Sequence, residues 1–148
     1  MPTGVRREGR EIALQTLYEW DTTQHDVEAV LRRHGEERRL TPRVMEFASE
    51  LVHGVLAHRD ELDATIAEAA PERPLPQMAR VDKAILRLAI YEILYNNAVP
   101  AKGAISEAVA LAKTFGSDAS ARFVNGVLGT IFLRSQGSPA SGAGSEVR

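Results

Sequence analysis

Apolar residues recur at helical spacing from the start of this chain to about residue 134, and no strand-like alternation competes with them. Ile12, Ala13, Thr16, Leu17 and Trp20 mark one face of a first helix that starts near Thr3 and is broken by Asp21-Thr22-Thr23. Asp26 caps a second helix carrying Val27, Val30 and Leu31, with His34-Gly35 as its stop. Thr41-Pro42 restarts the chain: the hydroxyl caps a helix end, and proline gives up an N–H that would have no partner there. Val44, Phe47, Ala48, Leu51, Val55, Leu62, Ile66 and Ala69 then predict one long helix, or two abutting near Asp60. Pro71-Glu72-Arg73-Pro74-Leu75-Pro76 ends it, because each proline lacks the N–H and the freedom that a helix interior needs.

Beyond that break, the apolar residues of a fifth helix over residues 76–95 (Val81, Ile85, Leu86, Leu88, Ile90, Ile93, Leu94) circle most of its surface, which predicts a central helix. A sixth over residues 101–115 stops at Gly116, read as the glycine just past the helix end. A seventh over residues 120–134 turns Phe123, Val124, Val127, Leu128 and Ile131 inward. Gly126 inside it costs about 1 kcal/mol relative to alanine, which points to a close backbone neighbour. The pattern predicts an all-α protein of about seven helices. It forms one domain over residues 1–134, in halves of residues 1–70 and 76–134. The Gly/Ser/Ala-rich residues 135–148 form an expected disordered tail.

The chain has 148 residues, enough for a sizeable core. No apolar run reaches the ~18 residues that a membrane span needs, and the charged start is not a secretory signal, so no membrane role is expected. The absence of cysteine excludes disulfides and thiolate metal sites and fits the cytoplasm. A net charge of −2 argues against a general nucleic-acid coat, yet the charge is segregated. Arg6, Arg7 and Arg10 face only Glu8 in the first ten residues, whereas Asp60, Glu61, Asp63, Glu68 and Glu72 form an acidic stretch.

A search for catalytic patterns finds no phosphate-binding loop, dinucleotide fingerprint, metalloprotease helix or nucleophile elbow. His25, His34, His53 and His58 lack ligand spacing, and Glu92 and Glu107 read as helix carboxylates that are solvated or structurally paired. No enzyme, metal or cofactor is expected. The arginines are a stronger candidate. Arg6 and Arg10 lie one turn apart with Arg7 beside them, and guanidinium groups hold phosphate through paired hydrogen bonds. A solvated helix start is the competing reading. Cations at a helix N-terminus oppose the macrodipole by about 0.3–1 kcal/mol each, which speaks against that reading.

The block Val81-Asp82-Lys83-Ala84-Ile85-Leu86-Arg87, with Tyr91-Glu92, Glu107-Ala108, Leu111-Ala112-Lys113, Phe115-Gly116 and Phe123-Val124-Asn125-Gly126-Val127-Leu128, resembles the NusB family of bacterial transcription antitermination factors. Arg6-Arg7, Arg10-Glu11 and Leu17-Tyr18-Glu19-Trp20 fit the same family, and the likeness spans residues 5–133. It implies two stacked helical bundles. It also implies a non-enzymatic adaptor that binds boxA RNA of ribosomal RNA operon transcripts together with NusE, a basic small-subunit ribosomal protein. That complex helps RNA polymerase read through terminators.

On this resemblance Arg6, Arg7 and Arg10 contact RNA, Arg122 adds a phosphate contact, and Phe123 stacks on a base. Tyr18, Glu19, Asp82 and Glu92 are then candidates for the NusE contact. Phe123 as plain core, and Asp82 as a carboxylate stabilised by the helix dipole, stay open beside these roles. Glu8, Gly9, Ser106 and Ala119 depart from the family pattern. Two rivals are a structural helical dimerisation module and a relative of the RNA-binding domain of ribosomal RNA methyltransferases. The second is disfavoured because neither a cofactor-binding βαβ unit nor a catalytic cysteine follows. A homodimer contact is left open.

Overall fold

A computed structural model describes residues 3–96 and 99–137, and helices are the only regular structure among them. Seven α-helices follow in order: α1 (Thr3–Thr23), α2 (Val27–Glu37), α3 (Pro42–Ala57), α4 (Arg59–Ala69), α5 (Arg80–Tyr91), α6 (Ala101–Phe115) and α7 (Asp118–Gly137). A single 3₁₀ turn (Leu75–Gln77) precedes α5, and a π turn (Glu92–Asn96) widens its end. Residues 138–148, most of the expected tail, lie outside the described residues, while α7 itself continues to Gly137.

Two helix starts follow directly from local chemistry. The Asp26 carboxylate accepts from the Ala29 amide at 3.2 Å, and the Thr41 hydroxyl accepts from the Val44 amide at 3.3 Å ahead of Pro42. The helix pairs α1 with α3 and α6 with α7 pack most extensively, and α5 lies against α1, α3, α4, α6 and α7. Every residue from Ala84 to Ile90 is buried: six are apolar, and the seventh, Arg87, is matched by the Asp63 carboxylate, which accepts from its Nε at 2.7 Å. Ile12, Leu51, Ile66, Ile85, Leu88 and Leu128 belong to one continuous core that both halves of the chain share.

Several boundaries differ from the expectation, each for a packing reason. α2 runs through Gly35 to Glu37, because Gly35 is a contact point: a Cβ there would lie 3.0 Å from the Met45 sulfur. The reversal falls at Arg39, a non-glycine residue at φ 52°. His58 (φ −110°, ψ 16°) separates α3 from α4, its ring stacked 4.0 Å from Tyr95, so the two abutting helices are the correct alternative. α5 starts at Arg80, four residues later than expected, because the prolines hold a 3₁₀ turn first. Gly116 ends α6 at φ −118°, outside the left-handed region, with Ser120 packed too close for a Cβ. Gly126 has open space around it, so no backbone approaches there. The close approaches are at Gly9 and Gly54, where a Cβ would run into Phe47 and Tyr91.

Candidate RNA and partner interface

The first two turns of α1 separate the three arginines. Arg6 is partly exposed and Arg7 is 60 % exposed. Arg10 is buried at 3 %. Its Nε donates to Glu92 Oε1 at 2.8 Å and its Nη2 to Oε2 at 2.9 Å, and Glu92 is itself 2 % exposed. Two charges out of water require this bidentate geometry, since either one alone would be an uncompensated buried ion. Arg10 is therefore no phosphate ligand and Glu92 no surface for a basic partner. A signal for this lay in the pattern: Arg10 shares the stripe of Ala13, Leu14 and Leu17, all buried, and Glu92 directly follows α5, whose stretch from Ala84 to Ile90 is buried.

Arg7 is held from outside. Its Nη2 donates to Glu107 Oε2 at 3.0 Å and its Nε to Oε1 at 3.3 Å, joining α1 to α6. These hydrogen bonds push the Glu107 carboxyl below its ordinary pKa and raise that of Arg7. The family departure at Gly9 has a steric cause: a Cβ would come within 2.6 Å of the Phe47 ring, so no longer side chain fits there. Arg122 is exposed and lines a cleft of about 460 Å³ between α6 and α7 with Ile105, Ser106, Lys113, Asp118 and Asn125. The α6 helix thus reaches Arg7 through Glu107 and shares this cleft with Arg122.

Phe123 is intermediate between its two readings. It is partly exposed and packs against the core, and the Arg73 guanidinium sits 4.0 Å from its ring centroid. A base stacking on that face would have to displace Arg73 or be sandwiched with it.

The partner candidates also divide. Tyr18, 44 % exposed, and Glu19 line a groove of about 890 Å³ with Leu14, His34, Val81 and Phe115. The Glu19 carboxylate is already matched within the chain: Arg33 donates to it through Nη1 at 3.1 Å, and the His25 ring lies 2.8 Å away. Those hydrogen bonds, from Arg33 first, lower its pKa to about 2. Asp82 is buried at 3 % in the first turn of α5, with Oδ1 lacking a hydrogen-bond partner, so it is not an exposed acid that a basic protein could reach. Its position in that turn is the one the helix dipole favours. His34 borders the groove, and burial lowers its pKa. Among the described residues no group of histidines and acids is placed to hold a metal ion, and no helix is long and apolar enough to cross a membrane.

Sequence reasoning missed Glu107 as the partner of Arg7 and Arg73 as the cover of Phe123. Both pairings span distant parts of the chain, and no local spacing announces them.

Comparison with known proteins agrees with this architecture. The NusB family model matches residues 7–132. A transcription antitermination protein NusB from Roseiflexus sp. (strain RS-1) is 50 % identical over 132 residues, covering 88 % of this chain and 93 % of that protein. Among solved structures, NusB of T. maritima is 28 % identical with a TM-score of 0.81, covering 90 % of this chain and 92 % of that one. A crystal structure of antitermination factors NusB and NusE in complex with double-stranded RNA aligns at the same TM-score of 0.81 and 24 % identity, over 88 % of this chain and 98 % of that one. The matched span runs from within α1 to within α7, and this chain belongs to the NusB family of transcription antitermination proteins.

Proposed function

We propose that this protein acts in transcription antitermination as a non-catalytic cytoplasmic adaptor that binds boxA RNA jointly with NusE and engages the RNA polymerase antitermination complex. The observation that carries the reading is the layout of α1. One helix presents Arg6 and Arg7 at its start and the Tyr18 groove near its end, so a single rigid element can serve an RNA and a protein. Arg6, Arg7 and Arg122 neutralise phosphates, and Phe123 with Arg73 forms a stacking position for a base. The partner docks over Tyr18, Leu14, Val81 and Phe115 rather than through a row of free acids, since Glu19 is already paired. The relation to a NusB–NusE–RNA assembly supports the choice of partners.

Fluorescence anisotropy of labelled boxA RNA, titrated with this protein alone and with NusE, tests the reading. The expected outcome is sequence-selective binding that tightens with NusE. The paired change Arg6→Gln/Arg7→Gln weakens it and lowers the slope of log affinity against log salt by about 1.4, at ~0.7 per phosphate contact on single strands. Equal affinity for boxA and a scrambled RNA, or equal affinity with and without NusE, would overturn it.

A further inference from the structure

The connection between α2 and α3 carries a positive surface that the proposed RNA contacts leave unused. Residues 32–43 hold Arg32, Arg33, Arg38, Arg39 and Arg43 against only Glu36 and Glu37, a local net of +3 in a chain of net −2. All five arginines are exposed. Arg33 is engaged by Glu19, and Arg38 comes only to 3.9 Å from Glu11. Among the described residues, Arg32, Arg39 and Arg43 make no ion pair at all.

The fold brings this segment beside the cationic turn of α1. Glu11 lies one turn beyond Arg7 on the same face of α1, and its charge acts on Arg7, so the Arg38–Glu11 contact sets Arg38 next to that face. Phe47, one turn after Arg43 on α3, packs against Gly9 and lies 5.7 Å from the Arg10 guanidinium. Arg43 therefore projects from the turn of α3 that flanks the start of α1. These contacts put Arg38 and Arg43, with Arg39 between them in the chain, on the side of the molecule that carries the start of α1, with Glu11 lying between Arg7 and Arg38.

Arg39 adds a second indication. It occupies φ 52°, the left-handed position just after a helix end where glycine is the usual residue. An arginine there keeps a charge at the exposed tip of the connection, in a backbone conformation that glycine would adopt without steric cost.

We propose that the α2–α3 connection is a second RNA contact: it holds the phosphates of single-stranded RNA flanking the segment that Arg6 and Arg7 bind. This rests on the RNA-binding reading above and extends its footprint. A patch of this kind carries no base readout. It adds affinity and salt dependence, independent of sequence, to RNAs long enough to reach it.

The test compares boxA RNA with boxA extended by about ten nucleotides on the 5′ or the 3′ side, each with and without NusE. The variant Arg38→Gln/Arg39→Gln/Arg43→Gln should bind the short RNA within about twofold of the parent. It should bind one of the extended RNAs about tenfold more weakly, with a salt slope smaller by about 2 for three lost phosphate contacts. Arg39→Gly separates charge from fold: it should melt no lower than the parent while losing part of the extended-RNA affinity. Parent-like affinity and salt slope of the triple variant on both extended RNAs would overturn the proposal while leaving the Arg6 and Arg7 reading intact. A loss on the short RNA that appears only when NusE is present would also overturn it, by placing these arginines in the protein contact. If the parent binds none of these RNAs, the underlying reading fails first.

Discussion

Arg7 and Arg10 stand one turn apart on the same helix, and each holds a glutamate through its Nε and Nη2, with two hydrogen bonds at Arg7 and three at Arg10, yet they belong to different regions of the molecule. The Arg10–Glu92 pair is sealed between α1 and the end of α5, with both side chains under 5 % exposed. The Arg7–Glu107 pair lies on the surface, with Arg7 60 % and Glu107 23 % exposed. Buried charges cannot be traded for water, so the first pair is a structural joint that sets how α1 sits on the second half of the chain. The exposed pair exchanges with solvent at little cost, so Arg7 is available to any anion that competes with Glu107. The same pair of residue types therefore gives a fastener in one place and a binding group in the other.

Breaking the buried pair should produce the largest effect. Arg10→Ala or Glu92→Ala leaves one uncompensated charge, and each should cost about 3–5 kcal/mol, a fall in melting temperature of roughly 10 °C or more in thermal denaturation. Replacing both, as Arg10→Met/Glu92→Leu, should recover most of that loss, because an apolar pair needs no partner. If either single alanine variant melts with the parent, the joint is not as described.

The Glu19 cluster sharpens the comparison from an intermediate position, partly exposed and holding both Arg33 and His25. Its folded pKa of about 2 lies below the ordinary 4.5, so the folded state keeps this carboxylate charged where the unfolded chain would protonate it. The stabilisation is complete above about pH 4.5 and is lost as pH falls from there towards about 2. Melting temperature measured across that window should drop less steeply for Glu19→Gln than for the parent. Parallel curves would show that the cluster contributes nothing.

The smallest change in stability is expected at the exposed pair. Glu107→Gln should alter folding free energy by no more than ~1 kcal/mol, while removing the carboxylate that occupies Arg7. Affinity for boxA RNA should rise several-fold in the anisotropy titration. A fall would mean that Glu107 positions Arg7 for RNA instead of competing with it.

Much of this was legible in the order of residues. Helical spacing, the caps at Asp26 and Thr41 and the proline-rich break are local devices, each readable within a few residues because a helix repeats every 3.6. The apolar girth of α5 announced its central place before any neighbour was known, and the family motifs are carried by the same stretches. The candidate cations Arg6 and Arg7 were also visible from their spacing.

Other features depended on which surfaces meet. Local spacing places Arg10 with Arg6 and Arg7, and only the arrival of Glu92, 82 positions later, makes burial of that charge tolerable. Gly9 and Gly54 matter because Phe47 and Tyr91 fill the space above them, while Gly126, inside the Phe123–Leu128 motif, faces nothing. The arginines of the α2–α3 connection come to the side of the start of α1 only because α3 packs along α1. The helices, their order and their apolar faces are written in the order of residues, because they follow from interactions within a few positions. Which charges are buried, paired or presented was decided by the tertiary structure, since burial and pairing depend on partners brought from far along the chain.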